Sequence, residues 1–137
     1  MEDNIKSIGK YAGRIWKSLH ENEYLSQKKI LELTQLKNNE FHLGIGWLVK
    51  ENKIKKSEKN NLYSLGLSNL TDTIGKKAAE IVSTLQNQSK KHVAAIAKST
   101  ELRPKEVYMG LGWLARAGKL EIFDDKTLQK KYSLKRQ

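Results

Sequence analysis

The feature that most constrains this chain is a phrase that occurs twice. Residues 43–48 read LGIGWL and residues 109–114 read MGLGWL, which places Trp47 and Trp113 66 positions apart. Self-similarity at one fixed offset is the sequence signature of a duplicated structural unit. The chain is therefore predicted to fold as two versions of one small unit.

The repeat extends far beyond this phrase. At the same offset IGKYAGRIWKSL (8–19) aligns with IGKKAAEIVSTL (74–85), and no gap is needed as far as the Trp-Leu pair. Near the end of each copy, YSL at 63–65 matches YSL at 132–134, so the offset has grown to 69. Because insertions are tolerated in loops, we predict that each copy ends in a hairpin whose tip varies in length.

These matches divide the chain into two predicted domains, residues 1–66 and 71–137. The joining segment GLSNLT (66–71) is short, so the relative orientation of the copies should be restrained. Both halves are basic. Residues 1–69 hold 12 Lys and Arg against 8 Asp and Glu, and residues 70–137 hold 14 against 7.

The overall charge favours a polyanionic partner. The chain has 137 residues and a formal net charge of +11. An excess of this size on a small folded protein is typical of nucleic-acid binding. Solubility supplied by surplus lysine is the alternative explanation.

Several classes of protein and site are disfavoured by the sequence. No cysteine is present, so disulfides and thiolate metal sites are excluded. The N-terminal MEDNIKSIGK lacks the apolar core of a signal peptide, and no run approaches the roughly 18 apolar residues of a membrane span. The three histidines have no metal-ligand spacing, and no catalytic constellation is visible. We expect a cytoplasmic, nucleoid-associated protein that is not an enzyme, with no metal, no cofactor and no membrane contact.

Helical periodicity is clearest at the start of each copy. Apolar residues recur at Ile8, Ala12, Ile15 and Leu19, and again at Ile74, Ala78, Ile81 and Leu85. This spacing predicts an amphipathic first helix, capped in the second copy by Thr71 or Asp72. After a polar break, a short second helix follows, which Ser26 can cap in the first copy.

A tight turn and a third helix come next. The turn is predicted around Thr34–Lys37 and Thr100–Arg103, and the third helix opens at Asn38 or Pro104. Proline suits the first helical position because its missing N–H costs nothing there. A glutamate follows two residues later in both copies, where negative charge favours the helix N-terminus.

The last segment of each copy is predicted to form a hairpin. IKKSEKNNLYSL (54–65) and LEIFDDKTLQKKYSL (120–134) each read as two short strands around a polar tip. The order helix, helix, turn, helix, hairpin is the winged helix-turn-helix plan. The predicted class is mainly α with small β-hairpins (α+β), as a tandem winged helix-turn-helix.

The end of the third helix resembles a known family. GIGWLVKENKI (44–54) and GLGWLARAGKL (110–120) are similar to the Gly-Trp-Leu signature of small winged helix-turn-helix domains, which mostly have no assigned function. The resemblance covers almost all of both copies. It implies a winged-helix fold and, by analogy, DNA binding. The tandem arrangement departs from that family's single-unit pattern, so the two copies need not share one role.

The repeated glycines suggest packing positions. A phosphate loop is disfavoured because the glycines lie late in a helix and no Gly-Lys-Ser/Thr follows. On a helical wheel Gly44 and Gly110 lie on the core face, where a missing side chain lets the first helix approach closely. Gly46 and Gly112 lie on the opposite face, where they could admit a DNA groove wall or a protein partner, or merely relax the helix end.

The outer face of the third helix is the surface that a winged helix offers to DNA. It carries Asn39, His42, Leu43 and Lys50 in the first copy and Lys105, Tyr108, Met109 and Arg116 in the second. Trp47 and Trp113 lie beside the core stripe. They are predicted to pack against the hairpin or the first helix rather than to stack on bases.

Candidate DNA-binding residues surround the third helix. They are Lys28, Lys29, Lys37, Asn38, Asn39, His42, Lys50, Lys55, Lys56 and Lys59 in the first copy, and Lys90, Lys91, Arg103, Lys105, Tyr108 and Arg116 in the second. Asparagine can read adenine and arginine guanine, whereas flanking lysines suit phosphates. Lys37 and Arg103 lie at the cap positions of the third helices, where a cation interacts unfavourably with the positive end of the helix dipole. A bound polyanion would reverse this unfavourable interaction. Ordinary solvated side chains are the alternative.

The two wings differ in charge. The first contains Lys55, Lys56 and Lys59 with one acidic residue, Glu58, whereas the second contains Glu121, Asp124 and Asp125 beside Lys126, Lys130 and Lys131. An acidic tip repels phosphate, so the first wing should serve DNA better. The C-terminal Lys135 and Arg136 add further positive charge.

The resulting prediction is a double-stranded DNA-binding protein that works largely through phosphate contacts. A nucleoid-type architectural protein and a small transcription regulator both fit. The alternative is a protein-interaction scaffold of tandem winged helices, with a partner or a second copy on the outer face of the third helix. Leu43 and Met109 on that face, together with the acidic second wing, favour it. Charge alone leaves RNA open as well.

Overall fold

The computed structural model describes residues 4–87, 89–124 and 129–136. The first copy contains helices α1 (Asn4–Glu21), α2 (Gln27–Thr34) and α3 (Asn38–Lys50) and strands β1 (Ile54–Lys56) and β2 (Tyr63–Leu65). The second contains α4 (Thr71–Thr84), α5 (Val93–Thr100) and α6 (Pro104–Arg116) and strands β3 (Leu120–Asp124) and β4 (Lys130–Leu134). The predicted order of elements is confirmed in both copies. Asp125 and Lys126 of the second wing lie outside the described residues.

The helix-turn-helix of the first copy is held by local side-chain bonds. Ser26 Oγ accepts from the amide of Lys29 (3.1 Å), which confirms it as the cap of α2. Gln35 ends the helix in the left-handed region at φ 60°. Thr34 Oγ1 then accepts from the amide of Leu36 (3.3 Å), so the turn closes on the helix it follows. The second copy repeats this turn at Thr100–Leu102.

The start of α4 differs from the prediction. The helix begins at Thr71 with Leu70 at the cap position, and no side chain caps it. The prediction that Thr71 or Asp72 caps the helix is therefore wrong. Ser68 Oγ accepts from the amide of Leu70 (3.0 Å), so this hydroxyl orders the segment immediately before the helix. Asp72 lies in the first turn, where its charge suits the helix dipole.

Each wing is a two-stranded antiparallel sheet. The first pairs Ile54 with Leu65, and the second pairs Leu120 with Leu134. The second wing has strands of five residues where the first has strands of three. The strands of the second wing are therefore longer than those of the first. The prediction that the tips differ in length falls on residues 125–128, which lie outside the described residues.

A third short backbone pairing joins each wing to its helices. Leu25, just before α2, pairs with Tyr63, and Lys91, just before α5, pairs with Tyr132. Both pairings are closed by two backbone hydrogen bonds of 2.8 to 3.1 Å. These single-residue bridges are invisible in the sequence, because one residue is too short to show an alternating pattern. They fix the wing beside the N-terminus of the second helix.

The hydrophobic cores of the two copies are shared. Ile74 of the second copy packs into the cluster around Ile15 and Phe41 of the first. Ile8 and Leu43 of the first copy pack into the cluster around Ile81 and Leu111 of the second. Burying one such aliphatic side chain is worth roughly 1.5–3 kcal/mol. Separating the copies would therefore expose core residues of both.

Candidate nucleic-acid interface

The core-facing glycines let the first helix of each copy approach the third. A Cβ on Gly44 would lie 2.7 Å from Ile15 Cδ1 and 3.2 Å from the backbone nitrogen of Ala12. A Cβ on Gly110 would lie 2.5 Å from Ile81 Cδ1. A side chain at Gly44 would press on the α1 backbone as well as on Ile15, whereas one at Gly110 would displace the end of the Ile81 side chain. The predicted packing role of both glycines is confirmed.

The tryptophans pack against the first helices. A Cβ on Gly9 would lie 3.2 Å from the ring of Trp47, and one on Gly75 would lie 3.4 Å from the ring of Trp113. Both tryptophans are half-buried. The prediction that they pack against the hairpin or the first helix is confirmed for the first helix.

The outer-face glycines bring α3 and α6 together. A Cβ on Gly46 would collide with the carbonyl oxygen of Met109, and one on Gly112 would collide with the carbonyl oxygen of Leu43. The two third helices are thus in backbone contact through equivalent residues. We call this contact, formed by Leu43, Gly46, Met109 and Gly112, the seam.

The two helices of the seam run in the same direction. Near their N-termini, Asn39 of α3 and Tyr108 of α6 line one groove. Past their middle, Gly46 faces Met109. At their C-terminal ends, Arg116 Nε donates to Glu51 Oε2 at 2.8 Å. Because contacts advance together along both helices, α3 and α6 lie side by side and parallel.

Two reciprocal contacts close the C-terminal half of the seam. Lys50 Nζ lies 5.2 Å from the ring centroid of Trp113. Arg116 Cζ, at the equivalent position of the other copy, lies 5.8 Å from the ring centroid of Trp47. Such cation–π contacts are worth about 0.5–1 kcal/mol at exposed sites. Each cation contacts the tryptophan of the other copy, so the two contacts are equivalent. The two copies are therefore related by an approximate two-fold axis along the seam.

The seam covers the face that the sequence assigned to DNA. Leu43 is 6% exposed and His42 is 7% exposed. Gly46 and Gly112 contact neither a groove wall nor a separate protein. The element they admit is the third helix of the other copy, and the expectation of an open outer face is wrong for the middle of both helices.

His42 is buried near the N-terminal half of the seam. Its Nδ1 donates to the carbonyl oxygen of Asn38 at 2.8 Å. Burial lowers the pKa of His42 below its ordinary value, and the positive charges of Lys105 and Lys56 lower it further. The hydrogen bond to Asn38 opposes this shift only in part. The ring therefore favours the neutral form and does not offer a charge to DNA.

Most of the other predicted residues are accessible. Lys28, Lys29, Lys37, Asn38, Asn39, Lys50, Lys55, Lys59, Lys90, Arg103, Lys105 and Arg116 are exposed, and Lys56, Lys91 and Tyr108 are half-buried. Some of them have neighbours in the chain: Lys90 Nζ lies 4.2 Å from the ring centroid of Phe123, and Lys56 Nζ lies 5.3 Å from that of Tyr63.

The exposed cations at the starts of α2, α3 and α6 have no acidic partner. In the part of the chain that the structure describes, no carboxylate lies within 4.0 Å of Lys28, Lys29, Lys37 or Lys105. The described ion pairs involve other residues, such as Lys77 with Glu106 and Lys130 with Asp124, both at 2.8 Å. Positive charge at these helix starts is therefore left without a partner.

The glutamates in the first turns of α3 and α6 accept hydrogen bonds from backbone amides at the helix N-termini. Glu40 Oε1 accepts from the amide of Lys37, and Glu106 Oε1 accepts from the amide of Arg103, both at 2.9 Å. The hydrogen bond from Lys77 holds the pKa of Glu106 below its ordinary value, and the Arg103 amide adds to this effect. Each carboxylate thus satisfies a backbone donor at the start of its own helix, and Glu106 also pairs with Lys77 of α4.

The described residues hold no group of three or more His, Asp or Glu side chains that could bind a metal ion. Among these same residues, no helix is both long and apolar enough to cross a membrane.

Comparison with known proteins bears on the fold. No curated protein and no solved structure gave a match. The family model described as "Winged helix-turn-helix domain (DUF2582)" matches the chain twice, at residues 1–67 and at residues 70–132. These two regions agree with the two copies seen in the sequence and in the structure. The chain therefore belongs to this family of winged helix-turn-helix domains and carries two tandem copies of the domain.

Proposed function

We propose that the protein binds double-stranded DNA through its phosphates, with little dependence on base sequence. The observation that carries this proposal is the set of exposed, unpaired cations at the starts of α2, α3 and α6. They include Lys28, Lys29, Lys37 and Lys105. Phosphate contacts supply most of the affinity of sequence-independent DNA binding.

Electrostatics at the N-terminal end of the seam supports a bound polyanion. The N-terminus of a helix carries roughly half a positive charge, and the parallel arrangement places two such ends together. Lys37 and Arg103 hold the cap positions at these ends. Like charges so close destabilise the free protein, and a phosphate backbone reverses that penalty.

The seam argues against the base reading of a conventional helix-turn-helix dimer. Such dimers place recognition helices about 34 Å apart, in successive major grooves, whereas packed helices are about 8–10 Å apart. Side by side, two helices span roughly 20 Å, which exceeds the approximately 12 Å width of one major groove. Only the helix tips and the wings remain for DNA, which favours backbone contact.

The test is fluorescence anisotropy of the full chain with duplexes of random sequence. Affinity should fall steeply with salt, with a logarithmic slope of about −5 if roughly six phosphates are neutralised. Arg103→Glu with Lys105→Glu should abolish most of the binding. The matched control is Lys6→Glu with Lys17→Glu, the same charge change on exposed positions of α1. Absence of binding by the parent chain at low salt would contradict the proposal.

An architectural, nucleoid-associated role in the cytoplasm follows more directly from this mode of binding than gene-specific regulation does. Occupancy mapping in cells distinguishes the two. Broad coverage of the genome is expected, and a few sharp peaks would instead indicate a regulator.

The protein-scaffold alternative has lost one of the two observations that favoured it. It rested on apolar Leu43 and Met109 on the outer face of the third helix and on the acidic second wing. Both residues now have a partner, since each faces a glycine of the other copy across the seam. Apolar side chains that do remain exposed include Leu33 in α2, and Tyr24 and Leu67 in connecting segments. Single exposed apolar residues are ordinary on a protein surface.

A further inference from the structure

A groove lies beside the N-terminal half of the seam and is built from both copies. Its volume is about 440 Å³. The first copy contributes Asn39 of α3, and the second contributes the start of α5, the start of α6 and the wing. The lining residues are Asn39, His92, Val93, Ala94, Pro104, Tyr108, Gln129, Lys130 and Tyr132. No single copy of the domain contains this site.

The lining is aromatic and amide-rich, with little free charge. Tyr108 is half-buried, and the amides of Asn39 and Gln129 are exposed to solvent. The ammonium of Lys130 is held by Asp124 at 2.8 Å. His92 Nδ1 donates to the carbonyl oxygen of Lys130 at 3.1 Å, which orients the imidazole within the groove. Such a surface suits a flat ring with donors and acceptors on its edge better than it suits a bare phosphate.

Cations adjoin this lining along the chain. Lys91 precedes His92, while Arg103 and Lys105 flank Pro104. Arg103 and Lys105 are exposed and Lys91 is half-buried. A lining with little free charge, next along the chain to these cations, matches one nucleotide unit, with the base inside the groove and the phosphates outside it. Single-stranded nucleic acids are commonly held by such aromatic stacking within a basic surface.

The positions related to this groove by exchange of the two copies have a different chemistry. Lys105, Ser26, Gln27, Lys28 and His42 stand where the groove has Asn39, His92, Val93, Ala94 and Tyr108. His42 is buried, so the first copy has no ring available at the position of Tyr108. The two copies have therefore diverged at this site.

We propose that this groove receives one unpaired base of a nucleic-acid strand, with Tyr108 as the stacking platform and Asn39 as a hydrogen-bonding partner for the base edge. The inference rests on the proposed function, since the cations of the same surface would hold the flanking phosphates. It adds a preference that phosphate binding alone does not supply: a duplex with an extruded base should bind more tightly than a perfect one.

The experiment measures the anisotropy of three labelled duplexes with the full chain at low salt. One is perfectly paired, one carries a single bulged adenosine, and one carries a bulged abasic nucleotide in the same place. The abasic duplex has the distorted backbone but no base. Stacking of one base on an aromatic side chain is worth about 1–3 kcal/mol, so the adenosine bulge should bind about tenfold more tightly than the abasic bulge.

Variants of the platform separate stacking from simple structural loss. Tyr108→Phe keeps the ring and should keep the preference, whereas Tyr108→Leu keeps an apolar side chain and should lose it. Asn39→Ala should reduce the preference for the adenosine bulge over the abasic bulge. Tyr24→Leu is the control, because Tyr24 is 63% exposed and lies outside the groove.

Each other outcome has a definite meaning. Equal affinity of the parent chain for the adenosine and abasic bulges overturns the groove inference and leaves phosphate binding intact. Loss of the preference in Tyr24→Leu as well as in Tyr108→Leu also overturns the assignment of the groove. If none of the three duplexes binds, the proposed function itself fails.

Discussion

Gly46 and Gly112 decide how the two copies meet. Each lies where any side chain would enter the backbone of the other copy's third helix. A glycine inside a helix costs about 1 kcal/mol relative to alanine. Backbone contact across the seam offsets this cost, since it lets Leu43 reach the core of the second copy.

Substitution of either seam glycine should therefore destabilise the protein. Gly112→Ala gains helix propensity but forces the two helices apart, and overpacking of this kind typically costs about 1–3 kcal/mol. The matched control is Gly13→Ala, in α1, where an added Cβ meets nothing within 4 Å. That variant should gain up to about 1 kcal/mol. Urea unfolding followed by circular dichroism measures both, and equal stabilisation by the two substitutions would disprove backbone contact.

His42 should make stability depend on pH. Its folded-state pKa lies below the ordinary value of 6.5, so the unfolded chain binds a proton more readily than the folded one. The contribution of the neutral ring is complete above about pH 6.5 and is lost as pH falls toward the folded-state pKa. Unfolding free energies at pH 7.5 and pH 5.5 should differ less in His42→Gln than in the parent.

The control for this measurement is His20→Gln, on the exposed side of α1, where the ring stacks on Trp16. Constant ionic strength keeps the lysine repulsions around His42 comparable at the two pH values. A parent protein that is equally stable at both pH values would show that the burial of His42 does not influence folding.

At the scale of elements, local chemistry explains what could be predicted. Ser26 before α2 and Pro104 at the start of α6 are signals that act within a few residues, and both positions were predicted correctly. The outer face of α3 packs against α6, which is the equivalent helix 66 residues later in the chain. No signal within a few residues of α3 predicts this contact. The spacing of Asn39, Leu43, Gly46 and Lys50, at intervals of four, three and four, is that of a helix-packing stripe. Because this stripe includes an apolar residue and a glycine, it is the one feature of the sequence that could have indicated a helix packed on the outer face of α3.

The candidate site was less predictable than the fold for the same reason. Exposed lysines can be recognised in a sequence, because they are rarely buried without a partner. The sequence alone could not distinguish the buried His42 from these exposed residues, because the burial of His42 depends on packing of the second copy. The groove shared by Asn39 and Tyr108 arises only when the copies pack, and it has no signature in either copy alone.

The two wings should contribute unequally to DNA binding. In the first, Lys55 and Lys59 are exposed, whereas in the second Lys130 is held by Asp124 at 2.8 Å. Lys55→Gln with Lys59→Gln should weaken binding to random duplexes and lower the steepness of the salt dependence by about one for each phosphate that is no longer neutralised. Lys119→Gln with Lys135→Gln removes the same charge from exposed positions of the second copy and serves as the control. Equal weakening in both variants would mean that net charge alone determines affinity.

At the scale of the whole molecule, the shared cores make the copies one cooperative unit. Ile8 and Leu43 contribute to the core of the second copy, and Ile74 contributes to the core of the first. We therefore expect a single unfolding transition, since neither copy can lose its structure without exposing core residues of the other. Two tandem domains joined only by a linker would instead unfold independently.

A destabilising mutation in one copy should consequently also lower the urea midpoint at which the other copy unfolds. In a Trp113→Phe background, the remaining tryptophans, Trp16 and Trp47, both belong to the first copy, and Trp47 also contacts Arg116 of the second. Ile81→Val, in the core of the second copy, removes one buried methyl group and typically costs about 0.5–1.5 kcal/mol. If the copies are coupled, this substitution shifts the urea midpoint of the first-copy tryptophans by as much as it shifts the far-ultraviolet circular dichroism. An unchanged tryptophan midpoint, with a shifted dichroism midpoint, would show that each copy folds alone. The seam would then be too weak to hold the cations at the starts of α3 and α6 against one stretch of DNA.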